Sequence, residues 1–206
     1  SCLRLFTPEI FPNVSKMIYL DVDTLVLRDL DAFYNLNMTG LFLRGLIDYD
    51  YPHDLDKVNI TVDDYYINSG VLLMNLDEMR RDNFTGKVVD FAERYHDKNL
   101  AFIDQAIIHG CCHNKTGLLP IDIGFQNVFT HSRYYKVFFR APYYYKYYTH
   151  QQVKKIIYNL TIVHLIDKPW NNRHPPYRKI WGKMVLKTDY ADQMTKTYTW
   201  INFLCK

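Results

Sequence analysis

Apolar residues along the chain fall into short continuous runs, separated by stretches in which they recur every three to four positions. Continuous runs of four to eight suggest buried strands, and the longer period suggests helices with one packed face. Met17-Ile18-Tyr19-Leu20 is the first run, followed by a short strand at Leu25-Val26-Leu27 and a helical turn over Leu30 to Tyr34. Further strands are predicted at Leu41-Phe42-Leu43, Gly70 to Asn75, Ile121-Asp122-Ile123 and Thr161-Ile162-Val163. Between Lys87 and Tyr95, the residues Val88, Val89, Phe91, Ala92 and Tyr95 share one helical face. Other helices are predicted at Gln151 to Asn159 and Tyr177 to Leu186, with a capped, proline-bounded start at Thr7 to Pro12 and Asp77 as a helix cap. The polar stretch Asp48 to Tyr65 reads as a long surface loop. Alternating strands and helices predict an α/β layer fold with a mixed, mainly parallel sheet flanked by helices.

Composition narrows the class. With 206 residues, 48% hydrophobic and 23% charged, the chain has the makeup of one globular domain with a substantial core. A formal charge of +3, without any block of like charges, gives no footing for nucleic-acid binding. Apolar runs such as Gly70-Val71-Leu72-Leu73-Met74 fall well short of the roughly 18 residues of a membrane span. Four cysteines, including the adjacent Cys111 and Cys112, lack zinc-ligand spacing and read as structural thiols. Six N-x-S/T sequons, beginning at Asn13, Asn37, Asn59, Asn83, Asn114 and Asn159, are read as a by-product of an Asn-rich composition. The chain opens on Ser1 and enters a motif almost at once, which leads us to expect a fragment or a processed product.

Four segments carry candidate chemistry. Asp21 and Asp23 close the first strand, where α/β folds place ligand sites. A turn there can converge both carboxylates on one hard cation. A pair of turn-forming aspartates is the plain alternative. Phosphatases of the haloacid dehalogenase type also put D-x-D after an apolar strand, although they favour Thr or Val where this chain has Leu25. Asn68-Ser69-Gly70 forms a polar corner that can offer an amide and close backbone approach to a sugar, or simply a turn. Asp104 and Gln105 sit in apolar surroundings before a helix, with Asp104 as a possible cap. His164 ends a strand, and Lys168 follows with a side chain suited to phosphate.

Taken in order, YLDVDTLVL, YINSGVLLMNL, FIDQAI and HLIDKPW resemble the motif series of the family 8 glycosyltransferases, the group containing glycogenin and bacterial lipopolysaccharide galactosyltransferases. The resemblance implies a GT-A fold, Rossmann-like, in which Asp21, Asp23 and His164 bind Mn2+ or Mg2+. It implies donor contacts from Arg4, Asn68 and Lys168, an acceptor-side role for Asp48, and catalytic positions for Asp104 at the transferred sugar and Gln105 at its anomeric face. The implied reaction moves glucose or galactose, with retention, from UDP-glucose or UDP-galactose to a glycan or glycolipid acceptor, the cation acting as a Lewis acid. Family members space the histidine and lysine with a glycine-containing linker, whereas Leu165-Ile166-Asp167 stands here. The family also begins with βα units that hold the nucleotide base. On this reading residues 1–206 are one GT-A catalytic domain fragment with its metal and acceptor portion, lacking roughly 70 to 90 residues of a mononucleotide-binding half.

The aromatic run Tyr143 to Tyr148 reads as a partly exposed segment or an acceptor-stacking surface. A tail with Lys179, Lys183, Lys187, Lys196, Trp200 and Phe203 is a candidate for peripheral membrane contact. The expected location is cytoplasmic, with a Golgi or ER lumen as the alternative in a eukaryote. A degenerate GT-A binding module and the phosphatase remain alternative functions.

Overall fold

The computed structural model describes residues 2–48, 55–58, 66–100, 103–112, 114–126, 147–149, 151–152, 159–166, 168–170 and 177–204. Its centre is β4 (Ile67–Asn75), with eight of nine residues buried. β4 pairs antiparallel with β1 (Lys16–Leu20) on one side and with β3 (Leu43–Ile47) on the other. β5 (Thr116–Leu118) adds to β3 in parallel, completing a sheet of order β1-β4-β3-β5. A second sheet is built, in spatial order, from β2 (Thr24–Val26), β7 (Ile162–His164) and β6 (Gly124–Gln126), antiparallel in the first pairing and parallel in the second.

Alternation along β4 sends its side chains to two different cores. Leu72 and Met74 join the main cluster, which is covered by α3 (Leu76–Arg81), α4 (Phe84–Arg94) and α5 (Ile103–Cys111) through residues such as Met79, Phe84, Val88 and Ile108. Phe84 is fully buried and meets Phe42 edge-on at 6.0 Å. Val71 and Leu73 face the opposite way, onto Phe33 from α2 (Asp31–Tyr34) and onto Ile123 and Ile162 beside and within the second sheet. One strand therefore ties both layers together. A third cluster covers the second sheet's other flank, where α6 (Arg178–Val185) brings Trp181 and Val185 onto Leu25 and Val163. No helix among the described residues is long and apolar enough to cross a membrane.

Several expectations change. Three of the five strand pairings described are antiparallel, so the sheets are mixed, as expected, but not mainly parallel. A central antiparallel strand covered on both faces produces the same unbroken apolar run as a parallel one, which is why the run misled. The third strand is Leu43–Ile47 and not Leu41 to Leu43, and the strand expected at Ile121 to Ile123 starts at Gly124. There Ile121 and Ile123 are buried in a turn just ahead of the strand, so burial alone gave the apolar signal. Asn75, not Asp77, caps α3, its side-chain oxygen accepting from the Glu78 N–H at 3.2 Å. Within the expected surface loop, the described residues Leu55 and Val58 are buried in the main core. Residues 153–158 of the expected helix and residues 143–146 of the aromatic run lie outside the described residues, while Tyr148 is buried. Trp200, in the tail named as a candidate for peripheral membrane contact, packs on Trp181 at 6.0 Å and under the Arg178 guanidinium at 3.9 Å.

His109 of α5 clamps that helix to the start of β4. Its Nε2 accepts from the Ile67 N–H at 3.1 Å, and its ring stacks on Tyr66 at 4.3 Å. Burial lowers its pKa from 6.5 to about 4. Between those values the unfolded chain binds the proton that the folded one refuses, so stability falls as pH falls from about 6.5 towards 4. The shift corresponds to about 3 kcal/mol, fully lost only below the folded value. In urea titrations across this window, His109→Gln, which keeps an acceptor for Ile67, should lose less stability than the parent chain; parallel losses would refute the assignment.

Candidate active site

The turn after β1 converts neighbours in sequence into neighbours in space. The Asp21 N–H donates to the Gly70 carbonyl at 2.8 Å, holding the strand end against β4. The Thr24 N–H and hydroxyl both donate to the Asp21 carbonyl, at 3.1 and 2.8 Å, closing a tight turn with Val22 exposed at its tip. Asp21 and Asp23 thereby reach the same side. His164 lies at the end of β7, opposite Thr24 in the ladder, and the Leu165 N–H donates to the Asp23 carbonyl at 2.8 Å. His164 Nε2 stands 3.2 Å from Asp23 Oδ1 and 3.9 Å from Asp21 Oδ2.

One ligand atom from each of these three residues lies within 4.8 Å of the others, a separation that a single cation can span. Two carboxylates and an imidazole suit Mn2+ or Mg2+, harder ions than those that thiolates select. Gly70 shapes the cradle: a Cβ there would overlap His164 Cε1 and fall 2.7 Å from Asp21 Oδ2. His164 Nδ1 is buried without a hydrogen-bond partner among the described residues, so the Asp21 and Asp23 carboxylates are the polar company of this imidazole. These features fit a divalent cation.

Electrostatics keep the Asp23 acid ionised. Burial pushes its carboxyl up, but hydrogen bonds and charge from His164 and Lys168 outweigh it and hold the group well below the usual carboxylate range. Lys168 pairs with Asp23 Oδ2 and donates to the Leu165 carbonyl at 2.8 Å. On the other side, Arg4 is buried and bridges Asp21 Oδ1 at 2.9 Å and Asp104 Oδ2 at 3.3 Å, and it also donates to the Ser69 carbonyl. Tyr19 donates to the same Asp21 oxygen at 2.8 Å. Burial and then that bond push the Tyr19 phenol up to about 12, so it remains a donor at neutral pH.

A register shift builds the next part of the site. Opposite Gly45 and Leu46 of β3 stand Leu72 and Asn68 of β4, so Ser69, Gly70 and Val71 bulge out of that ladder while Leu20 of β1 pairs with Val71. The bulge turns Asn68 and Ser69 towards α5. Gln105 Oε1 accepts from Asn68 Nδ2 at 3.1 Å and from the Ser69 N–H at 3.2 Å, while its Nε2 donates to buried Asp48 at 2.9 Å. Asn68 Nδ2 also donates to Asp48 at 3.2 Å, and the Ser69 hydroxyl donates to Asp104 at 3.1 Å.

Arg4, Asp21, Asp23, Asp48, Asn68, Asp104, Gln105, His164 and Lys168 thus occupy one neighbourhood, although they are far apart in sequence. Asp104 belongs to the first turn of α5 and is not its cap. Asp167, noted for its place in the His–Lys linker, lies outside the described residues. Sequence reading missed Tyr19 as a site neighbour, and it missed that Gly70 makes room for His164 and Asp21. The alternation that puts Tyr19 and Asp21 on one side of β1 was the available signal.

Comparison with known proteins decides the family, since the model for glycosyl transferase family 8 matches residues 2–174. This chain belongs to that family. Over 115 residues it is 31% identical to a putative glycosyltransferase of Haemophilus influenzae, covering 54% of this chain and 34% of the relative. The chain therefore spans about a third of that curated relative's length. Among solved structures, the bifunctional glycosyltransferase WbbM superposes with a TM-score of 0.74 at 16% identity, over 95% of this chain and 37% of the other. Galactosyltransferase LgtC, in complex with donor and acceptor sugar analogues, gives 0.61 at 22% identity, over 95% of this chain and 65% of the other. These likenesses establish an α/β GT-A-like fold, and family 8 membership sets aside the dehalogenase-type phosphatase.

Gly70→Ala should weaken Mn2+ binding by tenfold or more, in line with the roughly 10- to 100-fold cost of disturbing the surroundings of metal ligands. Isothermal calorimetry with the metal alone checks this, with circular dichroism verifying that the variant is folded. Unchanged affinity in a folded variant would exclude the cradle.

Proposed function

We propose that the chain is the metal- and acceptor-binding portion of a retaining, cation-dependent hexosyltransferase that moves glucose or galactose from a UDP-sugar to a glycan or glycolipid. The observation that carries this reading is the continuity between the Asp21/Asp23/His164 donor set and the Asp104–Gln105 pair, joined through Arg4. A divalent cation bound by the three ligands would supply Lewis acidity to the departing diphosphate. Around it, the chain's own groups divide the work. Arg4 fixes Asp21 and Asp104 relative to one another, so the metal side and the sugar side of the site keep one spacing. Asp104 serves the transferred sugar's hydroxyls, and Lys168, beside Asp23, serves the diphosphate. Asn68, the Ser69 N–H and Asp48 lock the Gln105 amide in one orientation at the proposed anomeric face.

The reading treats residues 1–206 as one catalytic domain, which covers about a third of a curated relative and 65% of a solved one. A cytoplasmic location, with peripheral membrane contact through exposed Lys179, Lys183 and Lys187, belongs to the same proposal. Bacterial relatives support the location.

The test supplies the protein with UDP-glucose or UDP-galactose and Mn2+, and follows UDP release. Turnover should require the metal, and Asp23→Asn should lower kcat/KM by about a thousandfold or more, roughly 4 kcal/mol of transition-state stabilisation. Undiminished turnover in that variant would overturn the reading.

A further inference from the structure

We infer that Tyr19 is a positioning residue for the cation site: its hydroxyl, together with Arg4, occupies Asp21 Oδ1 so that Oδ2 is the oxygen presented to a divalent cation. The inference rests on the reading of Asp21 as a metal ligand and adds a residue to it.

Geometry supplies the argument. Tyr19 and Asp21 are two residues apart and project to the same side, which brings the phenol within 2.8 Å of Oδ1. The Tyr19 ring is held from two directions, packing against the main core while the Arg4 guanidinium stacks over it at 4.4 Å. Arg4 cannot follow Asp21 freely, because it also holds Asp104 and the Ser69 carbonyl. The Asp21 backbone is pinned as well, by Gly70 on its N–H and Thr24 on its carbonyl. With one carboxylate oxygen bonded twice and the backbone fixed, rotation about the side chain is blocked. Oδ2 is left near His164 Nε2, at 3.9 Å. A carboxylate restrained in this way offers one oxygen at a defined place, which suits the strict geometry of a small cation such as Mn2+ or Mg2+. Ca2+ tolerates bidentate carboxylates and irregular shells.

Removing only the hydroxyl should therefore change metal preference as well as affinity. Tyr19→Phe retains the ring for Arg4 and the core, and loses the bond to Oδ1. Tyr34→Phe is the control, since the Tyr34 hydroxyl donates to the Lys16 carbonyl on the exposed side of the same strand at 3.2 Å. Mn2+ binding to the full chain is measured from the electron paramagnetic resonance signal of the free ion, and Ca2+ by competition. In Tyr19→Phe, Mn2+ affinity should fall about tenfold, within the usual range for loss of an outer partner, and the Mn2+ to Ca2+ preference should shift towards Ca2+. Tyr34→Phe should match the parent chain. Equal Mn2+ affinity in Tyr19→Phe, or equal losses for both ions, would overturn the positioning role while leaving the metal site standing. If the folded parent chain binds no Mn2+, the metal reading fails and this inference fails with it.

Discussion

A buried guanidinium governs the arrangement. Arg4 is only 4% exposed, and a charge removed from water must be matched locally or the fold loses several kcal/mol. Its partners come from three places: the turn after β1, the bulge of β4 and the first turn of α5. Satisfying one cation thus fixes the relative positions of three segments, and the acids collected for that purpose are the same acids that build the site. Arg4 offsets the repulsion of gathering Asp21 and Asp104, while Lys168 does the same for Asp23.

β4 turns that local demand into architecture. Its alternating side chains fill two cores, so its position is overdetermined by packing, and the irregular stretch from Ser69 to Val71 is supported on both sides. Strands interrupted in this way re-aim polar groups without loosening the layer around them. The bulge lets Gly70 receive His164 from the second sheet while Asn68 and Ser69 reach Gln105 on the helical side. The two sheets and the helix layer consequently meet at one point, and that point is the site.

Much of this was legible in the sequence. Most of the strands and helices, though not β5, the Asp21–Asp23 turn and the chemical types at Asn68, Asp104, Gln105 and His164 could be read from local pattern, because local propensity and burial agree there. Strand direction could not, since a run such as Gly70 to Asn75 looks the same whether its neighbours run parallel or antiparallel. Ile121 and Ile123 imitated a strand because they are buried in a turn. Single-sequence spacing also carries no distance between His164 and Asp21, which lie near opposite ends of the chain; it was the resemblance of four ordered motifs that joined them. Tyr19 escaped notice because an aromatic residue in an apolar strand is fully explained by packing, and only its hydroxyl, 2.8 Å from Asp21, reveals a second role.

Because Arg4, Asp21, Gly70, Asp104 and His164 must all be in place at once, no single supersecondary unit of this chain contains the proposed cation site. An ion that recognises the assembled site and not the open chain is then thermodynamically linked to global folding. At a free concentration a hundred times its dissociation constant, such an ion adds about 2.7 kcal/mol to the folded state. Changes in metal supply would accordingly alter how long the domain survives unfolding and proteolysis, making the ion a stabilising ligand of the whole domain as well as a participant in its chemistry.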